Sequence, residues 1–81
     1  MLVHVRINGA LAQEIGTTRL QASLEEGMTV ADLLTRLCQQ HPHSAAKLKQ
    51  AVPIVAGQHL PHTTALIAGQ EVALLLPVAG G

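Results

Sequence analysis

Residues 69–81 read GQEVALLLPVAGG. The stretch opens in a turn at Gly69, and Glu71 to Leu76 then forms a run that is apolar at nearly every position, the pattern of a strand with neighbours on both sides. It is predicted to lie at the centre of a sheet. Past Pro77 the apolar run gives way to Val78, Ala79 and two glycines, Gly80 and Gly81. Glycine at a chain end ordinarily accompanies fraying, so the rest of the sequence must decide whether this segment does anything.

Working outward, residues 2 to 7 alternate, with Val3, Val5 and Ile7 on one face and His4 and Arg6 on the other, which predicts a half-buried first strand. Asn8-Gly9 is a common hairpin pair. The ALAQEI that follows consists of helix formers and does not alternate, so a longer connection with a helical turn near Leu11 to Ile15 is expected, closed by Gly16. A second strand follows at about 18–24, with Leu20, Ala22 and Leu24 inward, and ends in the turn Glu25-Glu26-Gly27. The main helix starts at Thr29, whose side chain caps it with Asp32 three residues on, and stops before Pro42. Val30, Leu33, Leu34, Leu37 and Cys38 make its apolar stripe. Ser44 to Gln50 is a further short helix, VPIVA at 52–56 a strand in which Pro53 suits an edge or a strand start, and Pro61 to Thr64 a loop. Two strands, a helix crossing one face, short strands and a central last strand amount to an α+β fold with the outline of a β-grasp: a mixed sheet with one main helix packed on one face.

Eighty-one residues suffice for one domain, 1–81, with a compact core. Phe, Tyr and Trp are absent, so that core is aliphatic. No apolar run reaches the roughly 18 residues that span a bilayer, and no basic-then-apolar export signal opens the sequence. A soluble, cytoplasmic protein without a membrane partner is expected. Five Lys and Arg balance five Asp and Glu, and with no aromatic for base stacking the composition argues against a nucleic-acid partner. Cys38 is the single cysteine, which leaves no internal disulfide and suits a reducing compartment.

Few residues could carry chemistry. His41-Pro42-His43 with His59 and His62 offers imidazoles, but proline between two histidines breaks the helical spacing that chelation prefers and no carboxylate lies close in sequence, so no metal site is expected. Cys38, as part of the helix stripe, is expected to be buried and inert, and Lys47 and Lys49 to be a solvated face. The α-carboxylate expected on Gly81 is then the remaining reactive group. A carboxylate becomes an electrophile only when its oxygen is made a leaving group, and an activating enzyme's narrow channel admits Gly80-Gly81 where side chains would clash. The five residues from Pro77 onward reach at most about 17 Å, enough for a flexible tail to enter a neighbouring pocket from a rigid domain. Leu75, Pro77, Val78 and Ala79 are expected to dock a partner beside that arm.

GQEVALLLPVAGG, preceded by a capped helix and an opening strand, resembles the MoaD/ThiS family of ubiquitin-like sulfur carriers, and within it the small subunits of molybdopterin synthase. That family typically reads G-D-E-V, apolar residues and then P-P-V-x-G-G. The resemblance implies a ubiquitin-like β-grasp fold and a carrier that is not itself an enzyme. An adenylating enzyme of the ubiquitin-activating type would use ATP to form an acyl-adenylate at Gly81. A sulfur donor protein would convert it to a thiocarboxylate, and the molybdopterin synthase large subunit would receive the sulfur. No cofactor would be bound by the chain itself. A carrier for thiazole or another metabolite, and a ubiquitin-like modifier joined through Gly81 to target lysines, share the same fold and activation. The chain departs from the family pattern at ALAQEI, where an Arg-containing aromatic segment is usual, at Leu74-Leu75-Leu76-Pro77, where Phe-Phe-Pro-Pro is frequent, and at Ala56-Gly57, where Asn-Gly is frequent.

Overall fold

The computed structural model describes residues 1–77. Strand β1 (Leu2–Ile7) forms as its alternation predicts, with Val3, Val5 and Ile7 buried and Leu2, His4 and Arg6 exposed. Asn8-Gly9 does not turn a hairpin. Gly9, at φ 56°, instead starts helix α1 (Gly9–Ile15), which buries Leu11. Gly16 closes it at φ 94°, a left-handed conformation that glycine adopts without penalty, and donates its N–H to the Ala12 carbonyl at 2.7 Å. Strand β2 (Arg19–Ser23) then returns antiparallel to β1, from Arg19 opposite Arg6 to Ser23 opposite Leu2.

Helix α2 (Val30–Gln40) is capped reciprocally: the Asp32 N–H donates to Thr29 Oγ1 at 3.3 Å and the Thr29 N–H to Asp32 Oδ2 at 2.8 Å. Its first two N–H groups have no partner within the helix. They donate instead to the following loop, Val30 to the Thr64 carbonyl and Ala31 to that of His62, both at 3.0 Å, so the loop is tied to the helix start. Val30, Leu33, Leu34 and Leu37 are buried as expected. Cys38 is a correction: it is half-buried rather than buried, because the stripe runs off the core at the helix's last turn. A 3-10 turn (Pro42–Ser44) and helix α3 (Ala45–Gln50), which buries Leu48, complete the helical layer.

Strand β3 (Val52–Val55) and the two-residue β4 (Gln58–His59) form a hairpin through Ala56 and Gly57, both at positive φ, 50° and 79°. The sequence placed a strand at 52–56 and a polar stretch after it; the hairpin ends that strand at Val55. Strand β5 (Glu71–Leu75) lies between β1, parallel to it, and β3, antiparallel to it, in the order β2-β1-β5-β3-β4. Its central place is as predicted, but it stops at Leu75 and only one of its faces is covered. Val72 and Leu74 are buried, whereas Leu75 is 40% exposed, because the core gathers the helices on one side of the sheet. Strand β3 is not an edge, since β5 and β4 flank it, and Pro53 stands at its start, the second alternative expected of it, one residue before β4 begins to pair at Ile54. Among the described residues no helix is long and apolar enough to cross a membrane.

Candidate functional site: the open sheet face

Strand pairing converts sequence alternation into rows on the uncovered face. One row runs Arg19, Arg6, Ala73, Ile54, His59 across the five strands. Beside it lie Gln21, His4 and Glu71 on one side and Leu75 with Val52 on the other. The face therefore divides. Over β5 and β3 it is apolar, formed by Ala73, Leu75, Val52 and Ile54, and over β2 and β1 it is polar and charged. The Arg6 Nη1 donates to Glu71 Oε1 at 3.3 Å, an exposed pair where the two halves meet.

The apolar half ends where the chain leaves the sheet. Leu75 is the last residue of β5, beside a hollow of about 210 Å³ lined by Arg6, Ile7, Asn8, Ala73 and Leu75. Leu76 turns back against the core and Pro77 is exposed. Of the residues expected to act, Leu75 and Pro77 are thus next to one another at the exit, while Val78, Ala79, Gly80 and Gly81 lie outside the described residues. Val52, Ile54 and Ala73 were not singled out in the sequence. Each alternates with a buried neighbour, but their membership of one patch depends on a register between segments about twenty residues apart.

The other candidates are scattered. Among the described residues no three His, Cys, Asp or Glu side chains converge on one point. A hollow of about 490 Å³ lies in the helical layer, on the opposite side of the sheet from Leu75, and includes Cys38, Lys49 and His62. Lys49 is exposed, as expected of a solvated face. Lys47 departs from that expectation: it forms an ion pair with Glu14, whose other carboxylate oxygen accepts from Ser44 Oγ at 3.1 Å. The hydrogen bond from Lys47 holds the Glu14 carboxyl below its ordinary range; desolvation opposes this, and Ser44 with the charges of Lys47 and His43 adds to it. Among the described residues no nucleophile with an activating base lies on the open face.

Comparison with known proteins agrees with this geometry. Residues 5–81 match the sequence model of the ThiS family. A sequence search of curated proteins finds no match. Among solved structures the chain is similar to SAMP1 of Haloferax volcanii, 24% identical with a TM-score of 0.83 over 100% of each chain; a second structure of that protein calls it small archaeal modifier protein 1. It is also similar to a chain in the complex of subunits 1 and 2 of the molybdopterin-converting factor of Helicobacter pylori, 21% identical, TM-score 0.68, over 100% of each chain. A ubiquitin of Caldiarchaeum subterraneum matches at 16% identity and TM-score 0.69, over 100% of this chain and 98% of that one.

Proposed function

The chain belongs to the ThiS family of ubiquitin-like sulfur carriers, and from that premise we propose that it carries sulfur on Gly81 for molybdopterin synthesis, as the small subunit of a molybdopterin synthase. The Gly81 carboxylate attacks the α-phosphorus of ATP in an adenylating enzyme of the ubiquitin-activating type, and pyrophosphate leaves. The terminal sulfur of a donor persulfide then attacks the acyl-adenylate and AMP leaves, giving an acyl disulfide. A thiol attacks the donor's own sulfur in that bond, so the donor departs as a disulfide and a thiocarboxylate results. That sulfur is handed on in the large subunit's active site, so the catalytic side chains are the partner's and this chain supplies the carrier.

The observation that carries the reading is the exit of β5: Leu75, 40% exposed on an apolar patch with Val52, Ile54 and Ala73, stands two residues before Pro77 and a sequence ending in Gly80-Gly81. A docking patch followed by an arm whose last two residues have no side chains is what delivery into a partner's channel requires. Pro77-Val78 and the likeness to a chain of the Helicobacter pylori complex favour the molybdopterin branch. The test is the intact mass of the protein after incubation with the activating enzyme, ATP and a sulfur donor. Replacement of one carboxyl oxygen by sulfur is expected, and an unchanged mass with a competent activator would sink the carrier reading.

A second reading, a modifier joined to target lysines through Gly81, is favoured by the likeness to small archaeal modifier protein 1. It predicts high-mass conjugates in the host that vanish when Gly81 is deleted. Transfer of sulfur to the molybdopterin precursor with the purified large subunit, without conjugates, supports the first reading over it.

A further inference from the structure

Arg6 and Arg19 face one another as cross-strand partners on the open sheet face. Like charges directly opposite in an antiparallel pair lower a sheet's stability. Neither arginine is drawn away by burial, since both are exposed. Among the described residues Glu71 is the one carboxylate at hand, and it is engaged with Arg6, while Arg19 forms no ion pair. The other acids lie elsewhere: Glu14 with Lys47, Asp32 in the cap of α2, Glu25 and Glu26 in the turn after β2. A chain with no net charge thus concentrates positive charge on one spot of one face. A hollow of about 290 Å³ lies there, lined by His4, Arg6, Arg19, Gln21 and Glu71. The spot is continuous with the apolar half, since Arg6 is the row neighbour of Ala73 and Ala73 of Ile54.

We propose that Arg6 and Arg19 are the charged half of the docking face, and that the protein which receives the tail sets carboxylates against them while its apolar surface covers Leu75, Val52, Ile54 and Ala73. This rests on the carrier reading, and the occupant is the activating enzyme, the first of that reading's two partners to receive the tail. A guanidinium binds a carboxylate through two parallel hydrogen bonds. A carboxylate placed at the pair also removes the repulsion that the free protein tolerates, so docking gains what folding loses. Nucleic acid does not fit the same surface: two arginines neutralise few phosphates, the adjoining half is apolar, and no aromatic is present for stacking.

The test is ATP–pyrophosphate exchange by the host's ubiquitin-activating-type enzyme, with the full chain as substrate at about 50 mM and about 500 mM salt. Arg19→Glu is expected to raise KM about tenfold at low salt with kcat within about twofold, and the difference should shrink at high salt. Lys49→Glu changes net charge equally but sits in the helical layer, and its KM should stay within about threefold of the parent. Thermal unfolding separates docking from folding, because Arg19→Glu sets opposite charges on Arg6 and should unfold no lower than the parent. Three outcomes overturn the proposal. One is Arg19→Glu with the parent's KM at low salt, and another is an effect that Lys49→Glu matches. The third is a parent chain that no activator adenylates, which fails the carrier reading as well, whereas the first two leave that reading standing.

Discussion

Glu14 reaches from α1 to the 3-10 turn and α3, one carboxylate oxygen accepting from Ser44 and the other paired with Lys47. Its carboxyl is held below the ordinary range, chiefly by the hydrogen bond from Lys47. A folded value below the unfolded one means that its contribution is present above the unfolded carboxylate range and is lost as pH falls through the folded value. Thermal unfolding of Glu14→Gln against the parent should therefore show a small deficit at neutral pH that closes in acid; a deficit constant across the titration would exclude the ion pair as its source. Leu75 behaves oppositely. At 40% exposed it contributes little to the core, so Leu75→Asp should leave the unfolding temperature nearly unchanged and weaken binding to the activating enzyme at least tenfold, about 1.4 kcal/mol or more. Binding unchanged in a titration would misplace the patch. Leu75 was legible because it alternates with Val72 and Leu74. Glu14 was not, since nothing in ALAQEI announces a partner 33 residues on.

Among the elements, α2 was the most legible, for its cap and stripe are local: Thr29 and Asp32 are three residues apart and the apolar positions repeat at the helical period. The β3–β4 hairpin was the least. Ala56 takes φ 50°, a left-handed conformation that costs an L-residue about 1–2 kcal/mol and that asparagine tolerates better. Ala56-Gly57 therefore hides a turn that Asn-Gly would have advertised. Ala56→Asn should stabilise the protein by up to about 1 kcal/mol in denaturant unfolding, and a loss of stability would show that the strain is relieved some other way. At the same scale, β5 shows how a correct placement can rest on an incomplete premise. Its apolar run did mark a central strand, but Ala73 and Leu75 serve a face that no second layer covers among the described residues.

The whole molecule separates what holds it together from what it is proposed to deliver. Among the described residues every buried core residue lies between Val3 and Leu74, so Gly81→Ala removes no described core contact and should leave thermal unfolding unchanged while abolishing the gain of sulfur seen by intact mass. A large drop in stability would contradict a tail independent of the fold. Composition and periodicity by themselves determined the aliphatic core, the capped helix, the first strand, the central place of the last one and the Gly80-Gly81 ending, because each is written in residues close along the chain. The open face was decided only by tertiary structure. Arg6 meets Arg19, Ala73 meets Ile54 and Leu75 meets Val52 through strand register, and a shift of one residue would turn each side chain to the other face. Alternation shows that a strand has two faces; which one the helices cover, and which residues of distant strands then share the other, depends on how the entire core packs.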